Sequence, residues 1–162
     1  MKKSLLVIVS FVLLLFSASS YSSREVDAEI GCIAPDFDLV NEGSSVSLRD
    51  MKGKYVLLSF WNSADADSRM NNIAYSAAAK DFDNQLALVS VNYDRYEEVY
   101  REIAKRDKLQ AGSQFYDQEG KESRIYSDYH LDRGYKSYLV NPAGKIIAEN
   151  PDACQLAKII RQ

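Results

Sequence analysis

An apolar run that turns abruptly polar occupies residues 55–69, which read Tyr55-Val56-Leu57-Leu58-Ser59-Phe60-Trp61-Asn62-Ser63-Ala64-Asp65-Ala66-Asp67-Ser68-Arg69. Its first seven residues are apolar except for one serine, which is typical of a strand buried on both faces. Apolar residues then recur at helical spacing and predict a buried stripe: Met70, Ile73, Ala74, Ala77 and Ala78. Asp65 and Asp67 stand where this helix should begin, and a carboxylate there accepts hydrogen bonds from free helix amides. We therefore predict a strand that leads directly into a capped helix.

A second strand and helix follow along the chain. Residues 86–93 form another buried apolar run, and helical spacing returns before Lys108 at Tyr96, Val99, Tyr100 and Ile103. Two buried strands joined by a helix imply a parallel pair with a right-handed crossover. The charged residues from Asp94 to Lys108 have acids early and bases late, which favours a solvated helix face without a functional role.

Two hairpin signatures flank these units. Residues 37–40 and 46–48 enclose a polar turn, and residues 138–140 and 145–148 enclose the turn Asn141-Pro142-Ala143-Gly144. A βαβ unit followed by a hairpin builds a mixed sheet. The pattern therefore predicts an α/β fold with a central mixed sheet flanked by helices and an N-terminal β-hairpin extension.

Two further helices are predicted near the end of the chain. Residues 123–129 form a short helical segment. Asp152 is the expected N-cap of a final helix, whose buried side carries Leu156, Ile159 and Ile160.

Composition excludes several classes of protein. The chain has 162 residues, which suits one domain, and 46% of them are hydrophobic, which excludes a disordered chain. A formal charge of -3 argues against a nucleic-acid partner. Two cysteines cannot build a four-thiolate zinc site, and no pattern calls for a cofactor or a metal.

The first twenty residues resemble a secretory signal peptide. Lys2 and Lys3 precede an apolar run at residues 5–16 that is too short to cross a bilayer, and the small residues 17–20 suit a signal peptidase. The alternative is an uncleaved membrane anchor. We expect secretion across an inner membrane into a periplasm and no membrane span in the mature chain. Residues 21–29 should be a flexible N-terminus, and residues 30–162 should form the domain.

Four segments in order carry a resemblance to a known family. They are Ile30-Gly31-Cys32-Ile33-Ala34-Pro35-Asp36-Phe37, Val46-Ser47-Leu48-Arg49-Asp50-Met51-Lys52-Gly53-Lys54-Tyr55-Val56-Leu57-Leu58, Phe60-Trp61-Asn62-Ser63 with Ser68-Arg69, and Tyr138-Leu139-Val140-Asn141-Pro142-Ala143-Gly144-Lys145-Ile146. Together they resemble the thioredoxin-like superfamily, most closely the secreted TlpA/ResA-type thiol–disulfide oxidoreductases of Bacteroidetes, which are related to the AhpC/TSA proteins. The resemblance implies a thioredoxin-like fold for residues 30–162.

The chain departs from this family at the active-site motif. The resemblance aligns Asp65 with the first cysteine of the family's CxxC motif and Ser68 with the second. A carboxylate cannot attack a disulfide and a hydroxyl cannot resolve a mixed disulfide, so we expect no catalytic residues of the family's kind. Tyr135 or Lys136 occupies the place of the family's cis-proline, and we expect a trans peptide bond there. The chain therefore resembles a redox-inactive member of a redox family.

A retained substrate groove would make this chain a binding or folding-assistance module for a protein or peptide. Its candidate binding residues are Trp61, Asp65, Ser68, Tyr135 and Lys136. For Trp61 the sequence favours packing over contact with a ligand, since aromatic side chains near strand ends usually bury area. The alternative for Asp65 is a general acid–base or metal site with Asp67 and Lys136, although no histidine accompanies them in sequence.

The two cysteines and the single histidine leave other interpretations open. In an oxidising compartment Cys32 and Cys154 are either inert, joined in one structural disulfide, or a relocated redox pair with thiol–disulfide oxidoreductase or antioxidant activity. His130 has no nucleophile or metal-ligand spacing around it, which favours a structural role.

Overall fold

The computed structural model describes residues 28–41 and 44–161. Its strands are β1 (Asp38–Asn41), β2 (Ser44–Ser47), β3 (Tyr55–Trp61), β4 (Leu86–Asn92), β5 (Gln114–Tyr116), β6 (Ser137–Val140) and β7 (Ile146–Glu149). Its α-helices are α1 (Ala66–Ala78), α2 (Glu97–Arg106), α3 (Arg124–Asp128) and α4 (Ala153–Ile160). Within these described ranges no helix is long and apolar enough to cross a bilayer. The predicted signal peptide lies outside the described residues, as does most of the predicted flexible N-terminus.

The seven strands of the described residues form two separate sheets. β1 and β2 make an antiparallel hairpin, and the other five strands make a mixed sheet in the order β5-β4-β3-β6-β7. β4 runs parallel to β3 and β5, whereas β6 is antiparallel to β3 and β7. The predicted α/β class with a mixed sheet and an N-terminal hairpin is confirmed.

The mixed sheet is buried on both faces because alternate side chains of each strand point in opposite directions. One face, which we call the hairpin face, packs against β1 and α3 and includes Val56, Leu58 and Phe60. The other face, which we call the helix face, packs against α1 and α4 and includes Leu57 and Leu139. Burying each such side chain contributes about 1.5–3 kcal/mol, so this two-sided core accounts for the continuous apolar run of β3.

Capping fixes the starts of the shorter helices. Ser123 accepts a hydrogen bond from the Tyr126 amide at 3.0 Å and starts α3. Asp152 accepts from the Gln155 amide at 2.8 Å, while the Gln155 side chain accepts from the Asp152 amide at 3.2 Å, which completes a capping box for α4. Leu156, on the inner side of α4, is buried, as the sequence predicts.

The stripe predicted for α1 is wrong. Met70 is 64% exposed, Ala74 and Ala77 are also exposed, and Ile73 is only partly buried. The residues of α1 that are buried lie on a neighbouring side of the helix and are largely polar: Ser68, Asn72, Tyr75 and Ser76. Asn72 accepts from the Ser90 hydroxyl at 2.6 Å and donates to Gln114 at 3.1 Å, so hydrogen bonds compensate for burying this polar row.

The solvated face predicted from Asp94 to Lys108 is only partly correct. Asp94 precedes α2 and is buried, and the side chain of Asp107 is 8% exposed because it pairs with Arg69. The apolar row predicted for this helix is also narrower than expected, since only Tyr100 is buried while Tyr96 and Val99 are exposed.

Candidate functional site

Asp65 stands at the N-terminus of α1, where the family's first cysteine was aligned. Its backbone is extended, and its Oδ1 accepts a hydrogen bond from the Ser68 amide at 2.8 Å. The side chain itself is exposed. Asp65 is thus the helix N-cap that the sequence predicts, and Asp67 lies in the first turn, where a negative charge also favours the helix dipole.

Hydrogen bonds to Asp94 stabilise the turn that precedes Asp65. The amide and hydroxyl of Ser63 both donate to Asp94 Oδ1, at 2.8 and 2.9 Å. Asn92 in turn donates to Asp94 Oδ2 at 3.1 Å, and Asn62 donates to the Tyr93 carbonyl at 2.7 Å. These bonds tie the end of β3 to the end of β4, so the turn is fixed by polar contacts between neighbouring strands.

Ser68, aligned with the family's second cysteine, is buried. Its Oγ accepts from the Asn62 amide and donates to the Asp65 carbonyl, both at 3.3 Å. Ser68 therefore closes the turn from inside the protein. The hydroxyl of this candidate binding residue is therefore engaged within the turn by two local partners.

Trp61 is also buried completely, at 0% exposure. Its ring packs against Tyr100 of α2 at a centroid distance of 6.2 Å, in an edge-to-face arrangement. Trp61 therefore packs inside the protein, which is the role that the sequence favours for it, and its ring is not on the surface of the site. The continuous burial of β3 up to its last residue explains this outcome.

A cavity of about 710 Å³ lies in front of the turn, and we call it the Asp65 cavity. Its walls come from the ends of β3 and β4, residues 116–121 and the segment before β6, and its lining residues include Asn62, Asp65, Asp94, Arg95, Lys121 and Tyr135. The Tyr135 ring stacks on Tyr93 with centroids 6.1 Å apart. Burial raises the pKa of Tyr135 to about 12, so its hydroxyl stays protonated at neutral pH.

Lys136 lies beside this cavity but points its charge elsewhere. Its Nζ pairs with Glu149 Oε1 of β7 at 2.9 Å, and its carbonyl accepts from the Phe60 amide. All peptide bonds in the described residues are trans, including those at Tyr135 and Lys136. In the same part of the chain, no three His, Cys, Asp or Glu side chains are grouped to hold a metal ion.

Cys32 and Cys154 are both exposed and unpaired. Cys32 precedes a bridge between Ile33 and Lys145, and Cys154 lies in the first turn of α4. Neither lies at the turn before α1. His130 has a left-handed backbone and precedes a short 3-10 turn, and the structure does not place it at the Asp65 cavity.

Comparisons with known proteins agree with this geometry. The model of the AhpC/TSA family matches residues 30–149. The chain belongs to the AhpC/TSA family.

Among curated relatives, it is 36% identical over 85 residues to thioredoxin-like protein YneN of Bacillus subtilis, covering 52% of this chain and 50% of that protein. It is 39% identical over 69 residues to thiol-disulfide oxidoreductase ResA of Bacillus cereus, covering 38% and 40%. The chain thus spans half or less of the length of these relatives.

Solved structures confirm the thioredoxin-like fold. A thioredoxin-like protein from Parabacteroides distasonis superposes with a TM-score of 0.73 at 32% identity, covering 84% of this chain and 97% of that one. The thioredoxin domain of a thiol-disulfide oxidoreductase from Bacteroides vulgatus has a TM-score of 0.70 at 27% identity, covering 83% and 97%. The chain is therefore a TlpA-like member of the AhpC/TSA family, and its described cysteines do not form a pair.

Two residues that line the Asp65 cavity, Asn62 and Asp94, were not candidates in the sequence, although Asp65 and Tyr135 were. Asn62 follows β3, and Asp94 comes two residues after the end of the neighbouring parallel strand β4. The carboxyl ends of neighbouring parallel strands meet at one edge of a sheet, where ligands commonly bind. Polar residues just after two parallel strands were therefore a signal for this site in the sequence. Asp94 was instead grouped with the charged residues of the following helix.

Proposed function

We propose that this protein binds peptides or other proteins at the Asp65 cavity and has lost the thiol–disulfide exchange of its relatives. The observation that carries the proposal is Asp65, an exposed carboxylate that caps α1 at the position aligned with the family's nucleophilic cysteine. Thiol exchange needs a thiolate at that point and a second thiol to resolve the mixed disulfide. Here the second position holds the buried Ser68.

The character of the cavity supports a binding role. Tyr116 and Tyr135 supply partly exposed aromatic area with polar tips, a combination enriched at recognition surfaces, and the buried Tyr93 ring supports Tyr135. The turn 62–65 needs no ligand to hold its shape, because Asp94 already fixes it. Preorganisation of this kind lowers the entropic cost of binding. Of the five candidate binding residues, Asp65 and Tyr135 line the cavity, whereas Lys136 pairs with Glu149.

A disulfide-reduction assay tests the loss of redox activity. Insulin reduction by dithiothreitol would be followed with the wild-type protein and with an Asp65→Cys/Ser68→Cys variant. We expect the wild type to leave the uncatalysed rate unchanged and the variant to accelerate it, because the scaffold of the helix start is intact. Catalysis by the wild type would contradict the proposal.

A binding assay tests the other half of the proposal. The probe is reduced, carboxymethylated α-lactalbumin, a permanently unfolded protein without free thiols. We expect Tyr135→Ser to weaken binding of this probe at least tenfold. Tyr96→Ser is the matched control, because Tyr96 is an exposed tyrosine that does not line the cavity. Equal weakening by both changes, or no binding by the wild type, would contradict the binding role.

The second candidate function is thiol exchange through Cys32 or Cys154, which the exposure of both thiols favours. It predicts that a wild-type reductase signal disappears in Cys32→Ser or in Cys154→Ser. It also predicts rapid alkylation of the responsible thiol at neutral pH. Slow alkylation of both thiols, at the rate of a free cysteine peptide, would exclude this candidate.

We also propose that the chain is exported and acts in the periplasm. The basic residues Lys2 and Lys3, the apolar run 5–16 and the small residues 17–20 support export. Cell fractionation with an intact-mass measurement tests this. We expect a periplasmic product that has lost about twenty N-terminal residues. A cytoplasmic product that retains residues 1–20 would refute it.

A further inference from the structure

A second and larger concavity lies between the N-terminal hairpin and residues 116–125, away from Asp65. We call it the hairpin groove, and its volume is about 1140 Å³. One wall is formed by residues 32–40 with Arg49, and the other by residues 116–119 and 123–125. The groove shares residues 116, 118 and 119 with the Asp65 cavity, but it does not contain the turn 62–65.

The strands beside the groove have unpaired edges. β1 pairs only with β2, and β5 pairs only with β4, although β1 packs next to β5. Each strand therefore keeps one edge that pairs with no other strand among the described residues. An extended peptide can add to such an edge through main-chain hydrogen bonds, while its alternate side chains enter pockets on either side.

Aliphatic side chains along the same wall are left uncovered. Val40 is 69% exposed and Ile33 is 66% exposed, and both line the groove. They are two of the six large hydrophobic side chains that are exposed in the described residues. Phe37 and Leu39 lie between them in sequence and anchor the wall in the hairpin face of the core. The groove thus offers apolar contacts on a rigid support.

The charges of the groove are unbalanced toward carboxylates. Asp36, Asp38, Asp117 and Glu119 line it, against Arg49 and Arg124. Both guanidinium groups are already engaged, since Arg49 pairs with Asp36 and Asp38 while Arg124 pairs with Asp128 at 3.1 Å. In the part of the chain that the structure describes, Asp117 and Glu119 have no cationic partner.

Asp117 places a buried carboxylate behind this wall. The residue is 5% exposed, its Oδ1 accepts from the Glu119 amide at 3.1 Å, and its carboxylate interacts with the buried Tyr93 hydroxyl. A neutral hydroxyl does not offset the negative charge of Asp117, so a basic side chain in the groove is attracted to it. The buried charge and the surplus of carboxylates in the groove both favour a cationic ligand.

We propose that the hairpin groove binds an extended peptide segment in which lysine or arginine alternates with aliphatic residues. The aliphatic side chains contact Ile33 and Val40, and a basic side chain of the segment faces Asp117 and Glu119. The backbone of the segment pairs with the free edge of β1 or β5. This interaction can be told apart from binding at the Asp65 cavity, because Ile33, Val40 and Asp117 line the groove and do not line that cavity.

Three matched peptides test the chemistry of the occupant. They are acetyl-Val-Lys-Val-Lys-Val-amide, its counterpart with both lysines replaced by glutamate, and its counterpart with the central valine replaced by proline, which lacks an amide donor. Calorimetric titration would use protein purified after expression of the full chain. We expect the lysine peptide to bind, and to bind more weakly at high salt. We expect at least tenfold weaker binding of the other two peptides.

Two surface variants locate the site. Val40→Ser and Ile33→Ser should each weaken the lysine peptide at least fivefold, whereas Met70→Ser should not, because Met70 is exposed to the same degree on α1, outside the groove. Asp117→Asn should weaken the lysine peptide as well, provided that its circular dichroism matches the wild type. The two serine variants keep the test decisive if Asp117→Asn does not fold.

Any of four results would overturn the proposal: no binding of the lysine peptide at 1 mM, equal binding of the glutamate peptide, equal binding of the proline peptide, or equal weakening by Met70→Ser. These outcomes are separate from those at the Asp65 cavity. The groove variants leave Asp65 and Tyr135 intact, and the α-lactalbumin probe still reports on that cavity when the groove assay fails.

Discussion

Two carboxylates have different structural roles around α1. Asp65 supplies a hydrogen-bond acceptor that satisfies a helix amide. The positive end of a helix that can stabilise a thiolate here stabilises a carboxylate. Asp94 has the second role, because it holds the preceding turn through both polar groups of Ser63. The start of α1 is therefore stabilised by Asp65 and the turn before it by Asp94.

Asp65→Ala should lower the free energy of unfolding by about 1 kcal/mol, because the Ser68 amide loses its acceptor. Asp65→Asn should stay close to the wild type, since asparagine caps helices about as well as aspartate. Urea denaturation at pH 7 measures both. Equal losses in the two variants would show that the negative charge matters rather than the hydrogen bond.

The ion pair between Asp107 and Arg69 of α1 should make the free energy of unfolding depend on pH. Arg69 donates two hydrogen bonds to it, each of 2.7 Å, and this pairing lowers the pKa of the Asp107 carboxyl. The pairing therefore stabilises the fold above the ordinary carboxyl pKa and is lost as the pH falls through the lowered value. Arg69→Gln should cost about 1–2 kcal/mol at pH 7, and the difference from the wild type should shrink below about pH 4.

Arg106→Gln is the control for that measurement. Arg106 is exposed and lies 4.0 Å from Asp107, without the two short hydrogen bonds that Arg69 makes. Its substitution should change the unfolding free energy little at any pH. A pH-independent loss in Arg69→Gln would contradict the role of the ion pair.

At the scale of elements, α1 packs on the sheet through polar contacts. Its Asn72 joins Ser90 of β4 to Gln114 of β5 and thereby ties the helix to two parallel strands. Such a network is stable only when its members are paired, so it fixes the position of the helix more specifically than apolar contacts do. Tyr75 in the same row joins the apolar packing of the helix face.

Asn72→Ala should lower the free energy of unfolding by about 2 kcal/mol, because the buried Ser90 hydroxyl loses its acceptor. Asn71→Ala is a matched control with the same change in helix propensity, and Asn71 is exposed. Thermal and urea unfolding of the two variants should differ clearly. A loss in Asn72→Ala no larger than that in Asn71→Ala would contradict a stabilising network.

The sequence predicts the elements well and the faces of the helices poorly. β3 was predictable because its run of apolar residues reports burial on both sides, and Asp152 was predictable because a capping box is local in sequence. The buried face of α1 was not predictable, because Asn72 is buried through partners 18 and 42 residues away. Asp94 was missed for the same reason, since its partner Ser63 lies 31 residues before it. Polar burial depends on distant partners, and hydropathy does not report them.

At the scale of the whole molecule, an aromatic cluster is one of the contacts that attach the N-terminal hairpin to the sheet. Phe37 of the hairpin segment packs edge-to-face against Tyr129, and Tyr129 in turn contacts Phe60 with ring centroids 4.7 Å apart. The Tyr129 hydroxyl also donates to the Pro35 carbonyl at 2.7 Å. One buried tyrosine therefore joins the hairpin, α3 and the central strand, and the hairpin groove depends on this attachment.

Tyr129→Phe should loosen the hairpin without unfolding the sheet. The ring contacts remain, but the buried Pro35 carbonyl loses its donor, at a cost of about 1 kcal/mol. Hydrogen exchange should show faster exchange of the β1 amides while the β3 amides keep their protection, because β1 pairs only with β2. Tyr126→Phe is the control, since the Tyr126 hydroxyl has no hydrogen bond among the described residues. Equal acceleration in β1 and β3 would mean that hairpin and sheet unfold as one unit, and the hairpin groove could then not change shape independently of the core.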